Sequence, residues 1–239
     1  MKIYVISLKR SHDRRQRMME HMASHGIEFE FFDAVDGQFD HPLFSDYDYK
    51  KRLWLTSGKM PTRGEMGCYA SHYLLWMHCI STNQPIVVLE DDVILKSSFK
   101  NIVSKIMDDV VQLGFVRLEP LVRGKKRECL NRVDNTFFLM ENNFNGTRGY
   151  AIAPSAAAKL IKHRWSLPVD CFIGLPYLHD MTSFVIEPSV IEHDEIIPTT
   201  VQIGFSKTAW YRKPTRELYS LYKKARLKLT YMMKVRGAL

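Results

Sequence analysis

An apolar run, PIVVLEDDVIL (residues 85–95), is interrupted by three consecutive carboxylates, Glu90, Asp91 and Asp92. The residues before them are β-branched and continuous, the pattern of a strand buried on both faces. Three adjacent like charges repel, and burying an unpaired carboxylate is costly or shifts its pKa. The acids must therefore stand where the strand leaves the sheet, and something must compensate them. That requirement constrains the fold more than any other feature of the chain.

The surrounding pattern says what kind of sheet this is. IYVISL (3–8) predicts a central strand. RSHDRRQRMMEHMASHG (10–26) predicts a helix with Ser11 as N-cap, Gly26 as its stop and Met18, Met19 and Met22 as its buried stripe. IEFEFF (27–32) predicts a second strand, closed by the turn signal DAVDG. Strand, helix and strand in so short a span predict an α/β domain with a parallel sheet. Further helices are expected over 63–81, 98–111 and 154–164, and strands at FVRLE, TRGYAIA and SFVIEP. Residues 38–62 and 120–135 are predicted loops, the second carrying Arg123, Lys125, Lys126, Arg127 and Arg132.

The charge is unevenly spread. The net charge of +8 comes from residues 206–239, where ten Lys or Arg face one acid, Glu217; residues 1–205 sum to −1. We expect a catalytic body over 1–205 and a basic helical tail over 206–239, with Leu218, Tyr222, Ala225, Leu229 and Met232 at helical spacing. A neutral body argues against a nucleic-acid-binding core. The apolar opening is too short for a secretory signal, and no uncharged run approaches the roughly 18 residues of a spanning helix. The four cysteines have no metal-ligand spacing and predict reduced, mostly buried thiols in a cytoplasmic chain.

Period-two alternation puts Glu90 and Asp92 on one side of the strand end and Asp91 on the other. In open α/β sheets, ligands bind outside the carboxyl ends of the strands. Two converging carboxylates suit Mg²⁺ or Mn²⁺, commonly a metal that also grips a diphosphate. The triplet alone reads equally well as a solvated acidic turn. Its context adds Lys9, Arg10, Arg14 and Arg15 just past the first strand, beside a helix N-terminus, a natural phosphate site. No GxGxxG and no P-loop occurs. What remains is a metal-dependent nucleotide-diphosphate site without a glycine loop.

Six blocks, YVISLKRSHDRR, FEFFDAVDG, GEMGCYASH, VVLEDDV, TRGYAIA and LPVD, occur in order from residue 3 onward. Together they resemble the family 25 glycosyltransferases, and the likeness runs to about residue 205. The resemblance implies an α/β GT-A fold, a Rossmann-like, mostly parallel central sheet flanked by helices. It also implies a UDP-sugar donor (usually UDP-galactose), Mn²⁺ dependence, inversion at the anomeric carbon and, for bacterial members, a lipooligosaccharide acceptor.

Carried onto this sequence, Glu90 and Asp92 stand where the family's acid-x-acid pair stands, with Glu rather than Asp first; Asp92 is the expected metal ligand, and Glu90 is expected at the metal or the ribose. Asp91 would meet donor hydroxyls or be structural. Lys9, Arg10, Arg14 and Asp33 would border the nucleotide, and His72 falls in the GEMGCYASH block with Glu65. Inverting transfer needs one carboxylate to take the acceptor proton; Asp170 in LPVD is the expected base, with Glu65 second. His193 would complete the metal shell. The tail's apolar stripe and dense Lys and Arg suit peripheral contact with an anionic inner-membrane leaflet. The alternative from another class is a non-catalytic carbohydrate- or RNA-binding module on a degenerate transferase fold.

Overall fold

A computed structural model describes residues 2–194 and 209–237. In chain order its elements are β1 (Lys2–Ser7), α1 (His12–Ser24), β2 (Glu30–Asp33), α2 (Tyr49–Lys51), α3 (Arg63–Thr82), β3 (Ile86–Glu90), β4 (Val93–Leu95), α4 (Phe99–Lys105) and α5 (Met107–Leu113). There follow β5 (Phe115–Arg117), β6 (Lys126–Asn131), β7 (Thr136–Met140), β8 (Gly149–Ile152), α6 (Pro154–Leu160), α7 (Val169–Ile173), α8 (Pro176–His179), β9 (Phe184–Glu187), β10 (Ile191–His193) and α9 (Lys213–Gly237).

Eight strands form one sheet in the order β2-β1-β3-β8-β5-β9-β7-β6, and β4 pairs with β10 in a separate ribbon. β2, β1 and β3 run parallel, as do β5 and β9, while β8 and β7 run against their neighbours. Six of the eight strands thus share one direction. With helices on both faces, this is the α/β, GT-A-type architecture expected.

Alternation along the central strands feeds two cores. Tyr4, Ile6, Ile86 and Val88 point into one, with Tyr69 and Trp76 of α3, Leu160 of α6 and Phe172 of α7. Ile3, Val5, Val87 and Leu89 point into the other, with Met18 and Met22 of α1, Phe99 of α4 and Val110 of α5. Burying each such side chain contributes about 1.5–3 kcal/mol. Coverage on both faces explains why β3 shows no polar alternation until it ends.

Four expectations need correction. Residues 126–131, expected as loop, form β6, antiparallel to β7. As an edge strand it is exposed along most of its length, so it has no apolar period to find. Its charges discourage further strand pairing, and Lys126 pairs with Glu187 of β9. The helix expected over 98–111 is two helices meeting at Ile106, with no Gly or Pro to signal the break. Met19 is exposed, unlike Met18 and Met22. The four cysteines are free, but Cys129 is exposed and only Cys79 fully buried.

The basic helix α9 lies against the body. Leu227 is buried, the Thr215 hydroxyl donates to the Trp54 carbonyl at 2.6 Å, and Lys234 Nζ donates to Met181 O (3.1 Å) and Thr182 Oγ1 (2.9 Å). The expected boundary at 205, and Gln202 and Ser206 of the family blocks' end, lie outside the described residues.

At α8, buried His179 joins the α7 helix to the strand that follows. Its Nε2–H donates to Phe172 O (3.2 Å), while Nδ1 accepts from the Met181 N–H (3.1 Å). The ring is thereby fixed as one neutral tautomer, and burial, the largest cause, pushes its pKa down to about 3. Between there and the ordinary value near 6.5, the unfolded chain binds a proton that the folded chain does not. Stability is therefore full above pH 6.5 and lost as pH falls below it. Urea melts from pH 7.5 to 5 should lose about 1.4 kcal/mol per pH unit from this group below pH 6.5, a slope His179→Gln should remove.

Candidate active site

β1, β2 and β3 end at Ser7, Asp33 and Glu90 on the same edge of the sheet. The first turns of α3 close over that edge. Gly67 allows the approach, since a Cβ there would sit 2.4 Å from the Val35 carbonyl oxygen. Val35 N–H donates to Ser71 Oγ at 2.9 Å, fixing the 34–38 loop to α3. Between loop, helix and strand ends lies a cavity of about 610 Å³ lined by Ser7, Arg10, Arg14, Asp36, Thr62, His72, Glu90 and Asp91, among others. Its volume is within the roughly 300–1,000 Å³ of small-molecule sites.

The three carboxylates take separate partners; Glu90 and Asp91 line the cavity and Asp92 does not. Asp91 accepts from Ser7 Oγ and from Arg14 Nη1, both at 2.6 Å. Glu90 faces His72, whose Nε2 lies 3.5 Å from Oε1. Asp92 lies 3.8 Å from Nδ1 of His193, which the β4–β10 ribbon carries there by pairing His193 with Val93. Asp92 Oδ1 is buried and has no hydrogen-bond partner among the described residues.

Electrostatics set Glu90 and Asp92 apart. Burial alone would raise the Glu90 carboxyl, but His72, Thr147 and the Arg148 charge outweigh it and hold the group below its usual range. Burial first, then the neighbouring Glu90 charge, pushes Asp92 up to about 7. Around neutrality the pair favours one negative charge over two. By donor type Asp92, Glu90 and His193 suit a hard divalent cation such as Mn²⁺ or Mg²⁺, but they do not form a close group of three in this structure. The close group of three found among the described residues is a softer one: Cys68 Sγ, His72 Nε2 and a Glu90 oxygen lie within 4.8 Å of one another.

A buried relay orients Glu90's partner. Trp76 Nε1, which can only donate, reaches the Tyr150 hydroxyl at 3.0 Å. Tyr150 OH lies 2.9 Å from His72 Nδ1 and, accepting from Trp76, is left to donate there. The remaining imidazole proton is thus placed on Nε2, facing Glu90. Trp76, Tyr150 and His72 are fully buried.

The other candidates fall around this centre. Arg10 pairs with Asp36 (2.6 Å), which it holds below the usual carboxylate range. Asp33 is bridged by Arg15 (2.6 Å) and Lys9 (3.1 Å), and Lys9 does not line the cavity. Glu65, accepted into the helix start through its N–H to Thr62 Oγ1, is bound in a buried ion pair with Arg52 at 2.7 Å. Asp170 stands in the first turn of α7, its carboxyl raised by burial and further by Glu90; it too lies off the cavity's lining.

Sequence reasoning missed Ser7, Asp36, Tyr150 and the pair Thr147–Arg148. The last was within reach. β8 is antiparallel to β3, so the residues preceding Gly149 must arrive beside Glu90, whose N–H donates to the Arg148 carbonyl at 2.8 Å. Arg148 is itself held by Glu119, through its N–H (3.1 Å) and Nη1 (3.4 Å).

The chain is similar to known proteins over most of its length. The mouse (Mus musculus) procollagen galactosyltransferase 2 is 33% identical over 190 residues, covering 73% of this chain but 30% of the relative. The chain thus spans less than a third of that protein's length. The Haemophilus influenzae lipooligosaccharide biosynthesis protein lic2B is 23% identical over 250 residues, covering 98% of this chain and 90% of the relative. A human (Homo sapiens) relative, 30% identical over 192 residues across 73% of this chain and 31% of its own length, is named an inactive glycosyltransferase 25 family member 3. The family model for glycosyltransferase family 25 (LPS biosynthesis protein) matches residues 1–173. The chain belongs to glycosyltransferase family 25.

Proposed function

We propose that the chain is an inverting, metal-dependent hexosyltransferase that moves galactose from UDP-galactose to a sugar hydroxyl of lipooligosaccharide. The observation that carries this reading is the Glu90–Asp92 pair with its partnerless buried oxygen beside an arginine-lined cavity. The near full-length likeness to lic2B supports the acceptor class, and the procollagen galactosyltransferase likeness supports the sugar. The setting that goes with a lipid-linked acceptor is the cytoplasmic face of the inner membrane.

In this reading Asp92, Glu90 and His193 hold the cation, which when bound neutralises charge growing on the leaving diphosphate. Arg10 turns from Asp36 to phosphate oxygens, while Arg14, held by Asp91, presents its remaining N–H groups to them. Lys9 and Asp33 border the nucleotide from outside. Asp91, tied to Ser7 and Arg14, positions rather than reacts. Asp170 takes the acceptor hydroxyl's proton, a role its raised pKa suits, and Glu65 is the alternative base.

Calorimetric titration of UDP with Mn²⁺ and then with EDTA tests the centre. Metal-dependent binding that Asp92→Ala loses is expected; binding indifferent to metal and mutation would remove the acid pair from the mechanism. Absence of UDP binding in the wild-type chain would favour the non-catalytic carbohydrate-binding alternative.

Asp170→Asn should leave that binding in place and lower kcat by about 10²–10⁴. Tyr150→Phe, which frees the His72 tautomer, should weaken Mn²⁺ binding by about tenfold, read by the paramagnetic signal of free Mn²⁺. Unchanged Mn²⁺ affinity in Tyr150→Phe would make the relay a packing feature alone.

A further inference from the structure

Helix α9 has two faces, and the fold uses only one. Leu227 and Lys234 contact the body, and Tyr222 meets Tyr177 edge-on at its border. On the opposite side Leu218, Leu221, Tyr222, Leu229, Met232 and Met233 are between 43 and 69% exposed. At about 100° per residue these six fall within roughly 120° of the helix circumference. Lys224 and Lys228 border the stripe on one side and Arg226 on the other, and all three are exposed. The helix starts beside a second apolar cluster: Trp210 is 85% exposed, and Tyr211 stacks toward Trp54 with ring centroids 6.1 Å apart.

An apolar stripe this long is rarely left bare on a soluble surface. Its flanks decide what covers it. Ten Lys or Arg against one acid over 206–239 make a second copy of the helix a repulsive partner. Nucleic acid would satisfy the charge but leave the leucines and methionines in water. Among the described residues no helix is long and apolar enough to cross a membrane. We infer that the outward face of α9, with Trp54, Trp210 and Tyr211 at its start, is a docking surface for a bilayer bearing anionic headgroups. The helix lies in the interface plane, its stripe in the acyl boundary and Lys224, Lys228 and Arg226 at the phosphates. This stands on the tail's own geometry, and it deepens the transferase reading by giving that site a surface on which to meet a lipid-linked acceptor.

Vesicle co-sedimentation tests it without donor or metal, so its failure leaves the transferase reading untouched. Full-length chain should partition onto phosphatidylcholine vesicles containing phosphatidylglycerol at least about tenfold more strongly than onto phosphatidylcholine alone, and less so in high salt. Leu221→Glu with Leu229→Glu should abolish that partition while circular dichroism and metal-dependent UDP binding stay as in the wild type. Lys224→Glu with Lys228→Glu, which spares the stripe, should remove the preference for the anionic lipid. Wild-type chain that stays in the supernatant, or a double Glu variant that still sediments, would overturn the inference. So would a dimer in analytical ultracentrifugation that the double Glu variant makes monomeric, because a second copy would then cover the stripe.

Discussion

A strand buried on both faces can end in three carboxylates only if each is dealt with separately, and the architecture around β3 is organised by that need. Asp91 is given to Arg14 and Ser7, at the start of α1 and the end of β1. Glu90 is given to His72 of α3 and stays ionised. Asp92 is left with a histidine at 3.8 Å and a buried oxygen that nothing in the described protein satisfies. Two of the three charges are settled by partners in the fold, and the third, on Asp92, is the one to which the proposed cation is assigned. A buried polar atom without a partner is costly in a native structure, and burial raises the Asp92 carboxyl accordingly.

The settlement of Glu90 ties the site to the core between α3 and the sheet. His72 can face Glu90 with a proton only because Tyr150 donates to its other nitrogen, and Tyr150 is free to donate because Trp76 supplies the hydrogen bond that it accepts. Tyr150 belongs to β8, antiparallel to β3, whereas Trp76 and His72 lie one turn apart on α3. The same ring of Tyr150 stacks on Phe115 at 4.8 Å, inside the core. Reversing one strand in an otherwise parallel region therefore has a chemical consequence. It brings the start of β8, with Thr147 and Arg148, to the edge where β1 and β3 end.

How much of this could be read from residues alone follows the physics of each signal. β1, α1, β2 and β3 were legible because periodicity and turn residues agreed. The acid pair was legible because three charges after an apolar run violate the pattern of a core strand. β6 was not, since an edge strand exposed on both faces carries no period. His193 was expected because an acid pair leaves coordination positions open; its approach to Asp92 depends on the β4–β10 register, which no local signal encodes. The relay was equally hidden. His72, Trp76 and Tyr150 each look like ordinary core residues, and only their mutual distances make them a proton-ordering chain. Arg10 and Arg14 were visible as a basic cluster, but their present partners Asp36 and Asp91 come from other turns of the chain.

The tail joins these two levels through one loop. α9 holds the segment around Trp54 by the Thr215 hydroxyl bond and by Arg212 over the Trp54 ring at 5.6 Å. Two residues earlier, Arg52 reaches into the first turn of α3 and pairs with buried Glu65. Neither partner of that pair can be withdrawn cheaply, because an ion left alone at such depth loses its compensation. The position of the Arg52–Trp54 turn is therefore fixed from both ends, by the helix on one side and by the start of α3 on the other. A surface helix so attached is fixed to the scaffold at the start of α3, held on its inner face by buried Leu227 and by the Thr215 and Lys234 hydrogen bonds, while its outer face is apolar. This is physical continuity rather than demonstrated coupling, but it means that whatever engages α9 engages an element built into the same loop as the candidate site.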